Sequence, residues 1–143
     1  MRVEQRFEVE RPREEVVAIL RRDEMLLGLF PDAKTEIVKR EGERKTLCTH
    51  YRALGREGTA TFHFDFAPDG DVRFEKICDG KIFRELRGEV RFEKRGGGTR
   101  VRIALEGRTK SFVPDFTIRI PLQEQVEKMS DALRRCLAAP AEG

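Results

Sequence analysis

Thr59-Ala60-Thr61-Phe62-His63-Phe64-Asp65-Phe66 alternates without a break, with Ala60, Phe62, Phe64 and Phe66 on one side and Thr59, Thr61, His63 and Asp65 on the other. A two-residue period of this kind predicts a strand with one apolar and one wet face. The same beat returns on both flanks. If Pro68-Asp69-Gly70-Asp71 closes a hairpin, Phe66 faces Val72 and Phe64 faces Phe74, while Asp65 opposes Arg73 and His63 opposes Glu75. Apolar meets apolar and acid meets base. Across Gly96-Gly97-Gly98, pairing Phe92 with Val101 and Val90 with Ile103 again keeps the apolar side chains together.

Working outward, Val3, Gln5, Phe7 and Val9 share a face of a first strand, which Arg11-Pro12 stops. Pro12 suits the first turn of a helix, with Glu14 and Glu15 near its positive end and Val16, Ile19 and Leu20 as its apolar side. A second short helix is expected from Asp23, an N-cap candidate, to Phe30, before Pro31. From Lys34 to about Gly107 six strands follow, turning at Glu41-Gly42-Glu43, Gly55 to Gly58, Ala67 to Gly70, Asp79-Gly80 and Gly96 to Gly98. After Thr109 the period becomes helical: Val126, Met129, Leu133, Cys136 and Leu137 form a stripe that Phe116 and Ile120 extend upstream. Pro121 implies a kink unless Phe116 to Ile120 is a separate extended piece, and Ala139-Pro140 ends the helix.

The 143 residues suit one domain, 1–143. Its 29 basic and 26 acidic residues are interleaved and leave a formal charge of +3, the pattern of a solvated surface and not of a nucleic-acid partner. A 38% share of charged residues, no asparagine and an excess of arginine over lysine suit a thermophile or a GC-rich genome. Cys48, Cys78 and Cys136 contain no CxxC pair and read as reduced thiols of a cytoplasmic protein. Met1 to Glu10 lacks the apolar run of a signal peptide, and no stretch has the length of a membrane span.

A strand, two short helices, six antiparallel strands and a long C-terminal helix resembles the START/Bet v 1-like (SRPBCC) superfamily. Leu86 to Glu93 with Gly98 to Ile103 is similar to the penultimate hairpin of its polyketide cyclase/dehydrase and lipid-transport group, as is Val113-Pro114 to Pro121-Leu122. The resemblance implies an α+β helix-grip fold, β-α-α-β6-α, in which a curved antiparallel seven-stranded sheet wraps around the last helix. It also implies a cavity for an apolar ligand between sheet and helix. It carries no shared catalytic residues, no metal and no cofactor, so none is expected.

On this reading Phe62, Phe64, Phe66, Phe74, Leu86, Phe116 and Ile120 form an apolar wall, and Tyr51, Lys76 and Arg84 orient a polar or anionic end of the ligand. Each assignment has a plainer counterpart. The phenylalanines can simply fill a core. Tyr51 can be a rim or core tyrosine with an ordinary hydrogen bond. Lys76 faces inward by the phase of Val72 and Phe74, and pairing Ile82 with Cys78 would bring Arg84 opposite it. A bulge near Glu75 would instead turn Ile77 and Phe83 inward and leave both cations in solvent. His50 and His63 fall opposite one another if their strands pair, beside Cys48 and Asp65, a metal constellation on paper and an ordinary charged sheet face otherwise.

Three functions are compatible with these residues: binding or transport of a small hydrophobic molecule (lipid, polyketide-like or aromatic), a cyclase or dehydratase acting through Tyr51, Lys76 or Arg84, and an interaction module with a filled core. The last would use a patch around Ile77 and Phe83, with a homodimer as one assembly. The first is the leading expectation, with a non-enzymatic role favoured over catalysis.

Overall fold

The computed structural model describes residues 1–53, 56–78 and 83–138. Strand β1 (Arg2–Val9) leads to helices α1 (Arg13–Leu20) and α2 (Asp23–Leu27), followed by β2 (Ala33–Glu41), β3 (Arg44–Ala53), β4 (Arg56–Phe66), β5 (Val72–Lys76), β6 (Phe83–Arg95) and β7 (Gly98–Thr109). A 3-10 turn (Asp115–Ile118) opens directly into α3 (Arg119–Ala138). The seven strands form one antiparallel sheet in the order β1-β7-β6-β5-β4-β3-β2, so β1 and β2 are its edges. This is the α+β helix-grip arrangement.

Alternation sets the register. Phe64 pairs with Phe74, Phe66 with Val72, Asp65 with Arg73 and His63 with Glu75, while Phe92 pairs with Val101 and Val90 with Ile103. A one-residue slip would put every one of these phenylalanines in water, which is why the apolar beat is so restrictive. Left-handed backbone at Gly42, Gly70 and Gly96 closes three of the turns. The turn expected at Gly55 to Gly58 does not reach Gly58, which lies in β4 opposite Tyr51; Gly55, the turn at Asp79-Gly80, the pairing of Ile82 with Cys78 and the end of the last helix at Ala139-Pro140 fall outside the described residues.

Helical details differ from expectation in three places. Pro12 sits at the position before α1 and not within its first turn. The helix at Asp23 ends at Leu27, and Asp23 is its first residue without capping it. Its carboxylate is taken instead by two cations, Arg40 (Nη2 to Oδ2 2.6 Å) and Lys45 (Nζ to Oδ1 2.9 Å). Pro121 causes no break, because α3 starts at Arg119 and so places the proline in the first turn, where a backbone donor has no intrahelical partner.

Val126, Met129, Leu133 and Leu137 are buried as the stripe requires, joined by Ile118 and Leu122, whereas Cys136 is exposed. The helix packs chiefly on β1 and β7. Gly107 of β7 allows the close approach: a Cβ there would meet Ile118 Cδ1 and Leu122 Cδ1, each at 3.2 Å. Away from β7 the curved sheet diverges from α3, and rings from β4 and β5 occupy the wedge. Phe64, with no exposed surface, stacks on Phe74 (centroids 4.9 Å), and Phe30 stacks on Phe62 (5.0 Å). Each such ring contributes roughly 1.5–3 kcal/mol by burial, so this cluster anchors the sheet beneath the helix.

Candidate functional site

The aromatic cluster does not fill the whole wedge. A cavity of about 310 Å³ remains beside it, toward the ends of β3 and β5 and the first half of α3. Its apolar walls are Phe30, Ala60, Phe62, Phe74, Leu86, Leu105, Leu122 and Met129. Thr49, Tyr51, Lys76, Gln125, Asp32 and Lys128 supply polar groups. Asp32 and Lys128 belong to its mouth and form an ion pair across it, from the residues before β2 to the middle of α3. The carboxylate holds the Lys128 ammonium above its ordinary pKa.

Of the residues expected from sequence, Tyr51, Phe62, Phe74, Lys76 and Leu86 line this cavity. The other five do not. Phe64 and Phe66 are buried to one side as core. Phe116 and Ile120 are 74% and 67% exposed: Phe116 lies in the 3-10 turn at Asp115–Ile118, and Ile120, already inside α3, lies off the i, i+4 row that Leu122 and Val126 follow. Ile118 and Leu122, which continue that row, turn inward in their place. Phe112, in the same connection, is fully exposed with a left-handed φ of 72°.

Arg84 is exposed, so the two cations separate. β5 places Glu75 opposite Arg87, which carries Arg84 past Lys76 by two residues. The bulge lies on β6, between Phe83 and Glu85, and not near Glu75. It turns Phe83 onto the core and Arg84 outward. Ile77 stays 55% exposed. Neither sequence register is therefore fully realised: Lys76 and Phe83 both point inward.

Tyr51 lies at the rim, 39% exposed, with its ring over Gly58 of the neighbouring strand. A Cβ at Gly58 would come within 2.7 Å of the phenol oxygen, so the glycine is what lets the ring lie against this strand. Among the described residues the phenol has no hydrogen-bond partner. Thr49 is buried, and its hydroxyl donates to the Ala60 carbonyl at 3.2 Å. Lys76 is half-buried, its Nζ 5.5 Å from the centroid of the Phe83 ring. Among the described residues no carboxylate lies within ion-pair distance of it.

The two histidines are not opposite one another. His50 pairs with Thr59 and His63 with Thr46, and His63 Nδ1 shares a hydrogen bond with Thr46 Oγ1 at 2.9 Å. On the outer face His50 Nε2 lies 3.3 Å from Glu36 Oε1 and 3.9 Å from Cys48 Sγ. Another outer-face hollow, of about 420 Å³, is bordered by Arg2, Arg73 and Arg87 together with Asp65, Glu75, Glu89 and Glu106. Its charges compensate one another, which suits water and not an apolar guest.

Sequence reasoning missed Phe30, Leu105, Leu122, Gln125, Met129 and the Asp32–Lys128 pair. The helical stripe contained Met129 and so offered a signal for that one. Gln125 and Lys128 are polar positions at the margin of the stripe, and nothing in the sequence distinguishes them from solvent-facing residues.

A curved seven-stranded sheet gripping a long C-terminal helix, with a cavity between, defines the fold of START and Bet v 1-like proteins. Among solved structures, a protein from Thermus thermophilus has 22% sequence identity and a TM-score of 0.77 over 96% of this chain and 97% of its own. An aromatase/cyclase from a Streptomyces species has 21% identity and a TM-score of 0.72 over 96% and 90%. A START superfamily protein from Mycobacterium smegmatis has 17% identity and a TM-score of 0.74 over 95% and 96%. No family model and no curated protein matches the sequence. Likeness at these identities concerns the fold. No described helix is long and apolar enough to cross a membrane.

Proposed function

We propose that this chain binds, and in that sense carries, a small hydrophobic molecule in the cavity between sheet and α3. The observation that carries the reading is the cavity wall itself: Phe62, Phe74, Leu86, Leu105, Leu122 and Met129 converge on about 310 Å³ that the core leaves unfilled. Apolar surface placed there is removed from water at roughly 25 cal/mol per Å². The volume falls at the lower end of the roughly 300–1,000 Å³ typical of small-molecule sites. It suits a compact aromatic or a single chain better than a two-chain lipid.

The wall can be tested by filling it. In Leu86→Trp the indole would occupy space now open to a guest. Titration with the neutral fluorescent probe N-phenyl-1-naphthylamine should show saturable binding to the native chain and at least a tenfold loss in the variant. Unchanged probe affinity in a variant with native far-UV and near-UV circular dichroism would remove the assignment.

A cyclase or dehydratase draws support from Tyr51 and Lys76, both of which border the same cavity. Acid–base catalysis needs a titratable side chain held in position on the reacting group. Among the described residues, no hydrogen bond orients either group toward the other. Binding is accordingly the reading stated here.

A further inference from the structure

We infer that the ligand of this cavity is an apolar acid, a carboxylate on a compact hydrophobic body, and that Lys76 is the residue that receives its anionic end. The inference rests on the cavity being a ligand site at all, and adds the chemical class of the guest.

Among the described residues, three side chains with formal charge at neutral pH border the cavity: Lys76, Lys128 and Asp32. Asp32 is already engaged by Lys128. Lys76 is left with no carboxylate at ion-pair distance among the described residues, and with an aromatic face, Phe83, as its recorded partner. A half-buried ammonium against an apolar wall has lost part of its hydration, and a ring face returns only a fraction of it. An anion arriving with the guest would supply the missing counter-charge where water is scarce, and charge-assisted hydrogen bonds are the strong ones.

Neighbouring groups point to the same end of the guest. Leu86 and Phe74 border the cavity with Lys76, and among the described residues no second charge lines that part of the wall. Gln125, also on the wall, carries amide donors that a carboxylate oxygen can accept from. The Tyr51 phenol at the rim is a further free donor. Among the described residues the one cavity charge without a counter-charge is therefore positive and has neutral donors near it, which favours an anion over an amine or a polyol.

The test compares two probes of equal length, decanoate and decanol, by isothermal titration at pH 7.5 with the full chain, in the native protein and in Lys76→Met and Lys76→Arg. Methionine keeps the apolar stem and removes the charge; arginine keeps the charge. Decanoate should bind the native protein more tightly than decanol. It should weaken about 10- to 100-fold in Lys76→Met, the range for losing a hydrogen bond to a charged group. Decanol should be unaffected, and Lys76→Arg should retain most of the decanoate affinity. If decanol binds as tightly as decanoate and neither responds to Lys76→Met, the acid assignment is wrong while the hydrophobic site stands. If neither probe binds the native protein, both the assignment and the site it rests on are overturned.

Discussion

At Gly88 a missing side chain is a packing requirement. Its β5 partner Phe74 lies across it, so a Cβ there would stand 2.3 Å from Phe74 Cζ and 2.8 Å from the Ala104 carbonyl oxygen. The carbonyl belongs to the neighbouring strand and cannot retreat cheaply. The ring can, but only by leaving its stack on Phe64 and moving toward the cavity. Gly88→Ala should therefore destabilise the fold by about 1–3 kcal/mol in urea titration and weaken binding of N-phenyl-1-naphthylamine. Gly97→Ala, where an added Cβ has nothing within 4 Å, is the control that should leave both unchanged. Equal effects at the two glycines would refute this account of how Phe74 is held.

Among the elements, α2 is held by charge in addition to the burial of Met25 and Leu26. Arg40 of β2 and Lys45 of β3 both hydrogen-bond the Asp23 carboxylate and hold its pKa well below the ordinary value of 3.8. A carboxyl whose folded pKa is depressed stabilises the fold above its unfolded pKa, and that contribution fades as the pH falls toward the folded value. Asp23→Asn should therefore unfold at lower urea than the native chain at pH 7, with the gap shrinking as pH falls below about 4. A gap that stays constant down the acid limb would mean that the carboxylate charge is not what ties α2 to the sheet.

The same scale shows which parts of the structure were legible in the sequence. Where a strand is apolar on one face, a shift of register costs every buried ring at once, so the pairing of β4 with β5 and of β6 with β7 could be read from alternation. The bulge between Phe83 and Glu85 could not, since it adds a residue whose only trace in the sequence is a change of phase. That single residue decides that Lys76 reaches the cavity without Arg84. Extending the α3 stripe upstream failed because Phe116 and Ile120 match each other at helical spacing but not Leu122 and Val126, so both stay in solvent. Half of the expected site residues line the cavity, and those that miss it lie beyond a local irregularity, off the buried row of α3 or within the fully packed part of the ring cluster.

For the molecule as a whole, the cavity follows from how helix and sheet meet. α3 lies against β1 and β7, and Gly107 lets it come close there. The sheet curves away toward β2, so the gap beneath the helix widens along the strand order. Phe64 and Phe74 fill its depth, and the space left opens where Pro31, Asp32 and Ala33 enter β2. Across that opening, the Lys128–Asp32 ion pair joins α3 to the residues before β2. Both side chains are half or more exposed, so the pair contributes about 0–1 kcal/mol to folding. Its consequence is kinetic: a guest leaving between α3 and the start of β2 must pass a link that opens and closes. Asp32→Asn should leave the urea midpoint nearly unchanged while speeding dissociation of N-phenyl-1-naphthylamine several-fold in stopped-flow displacement. Raising the salt concentration should speed release from the native chain but not from the variant, because screening acts only where the ion pair exists. Equal release rates from the two chains at low salt would place the exit path elsewhere around the cavity.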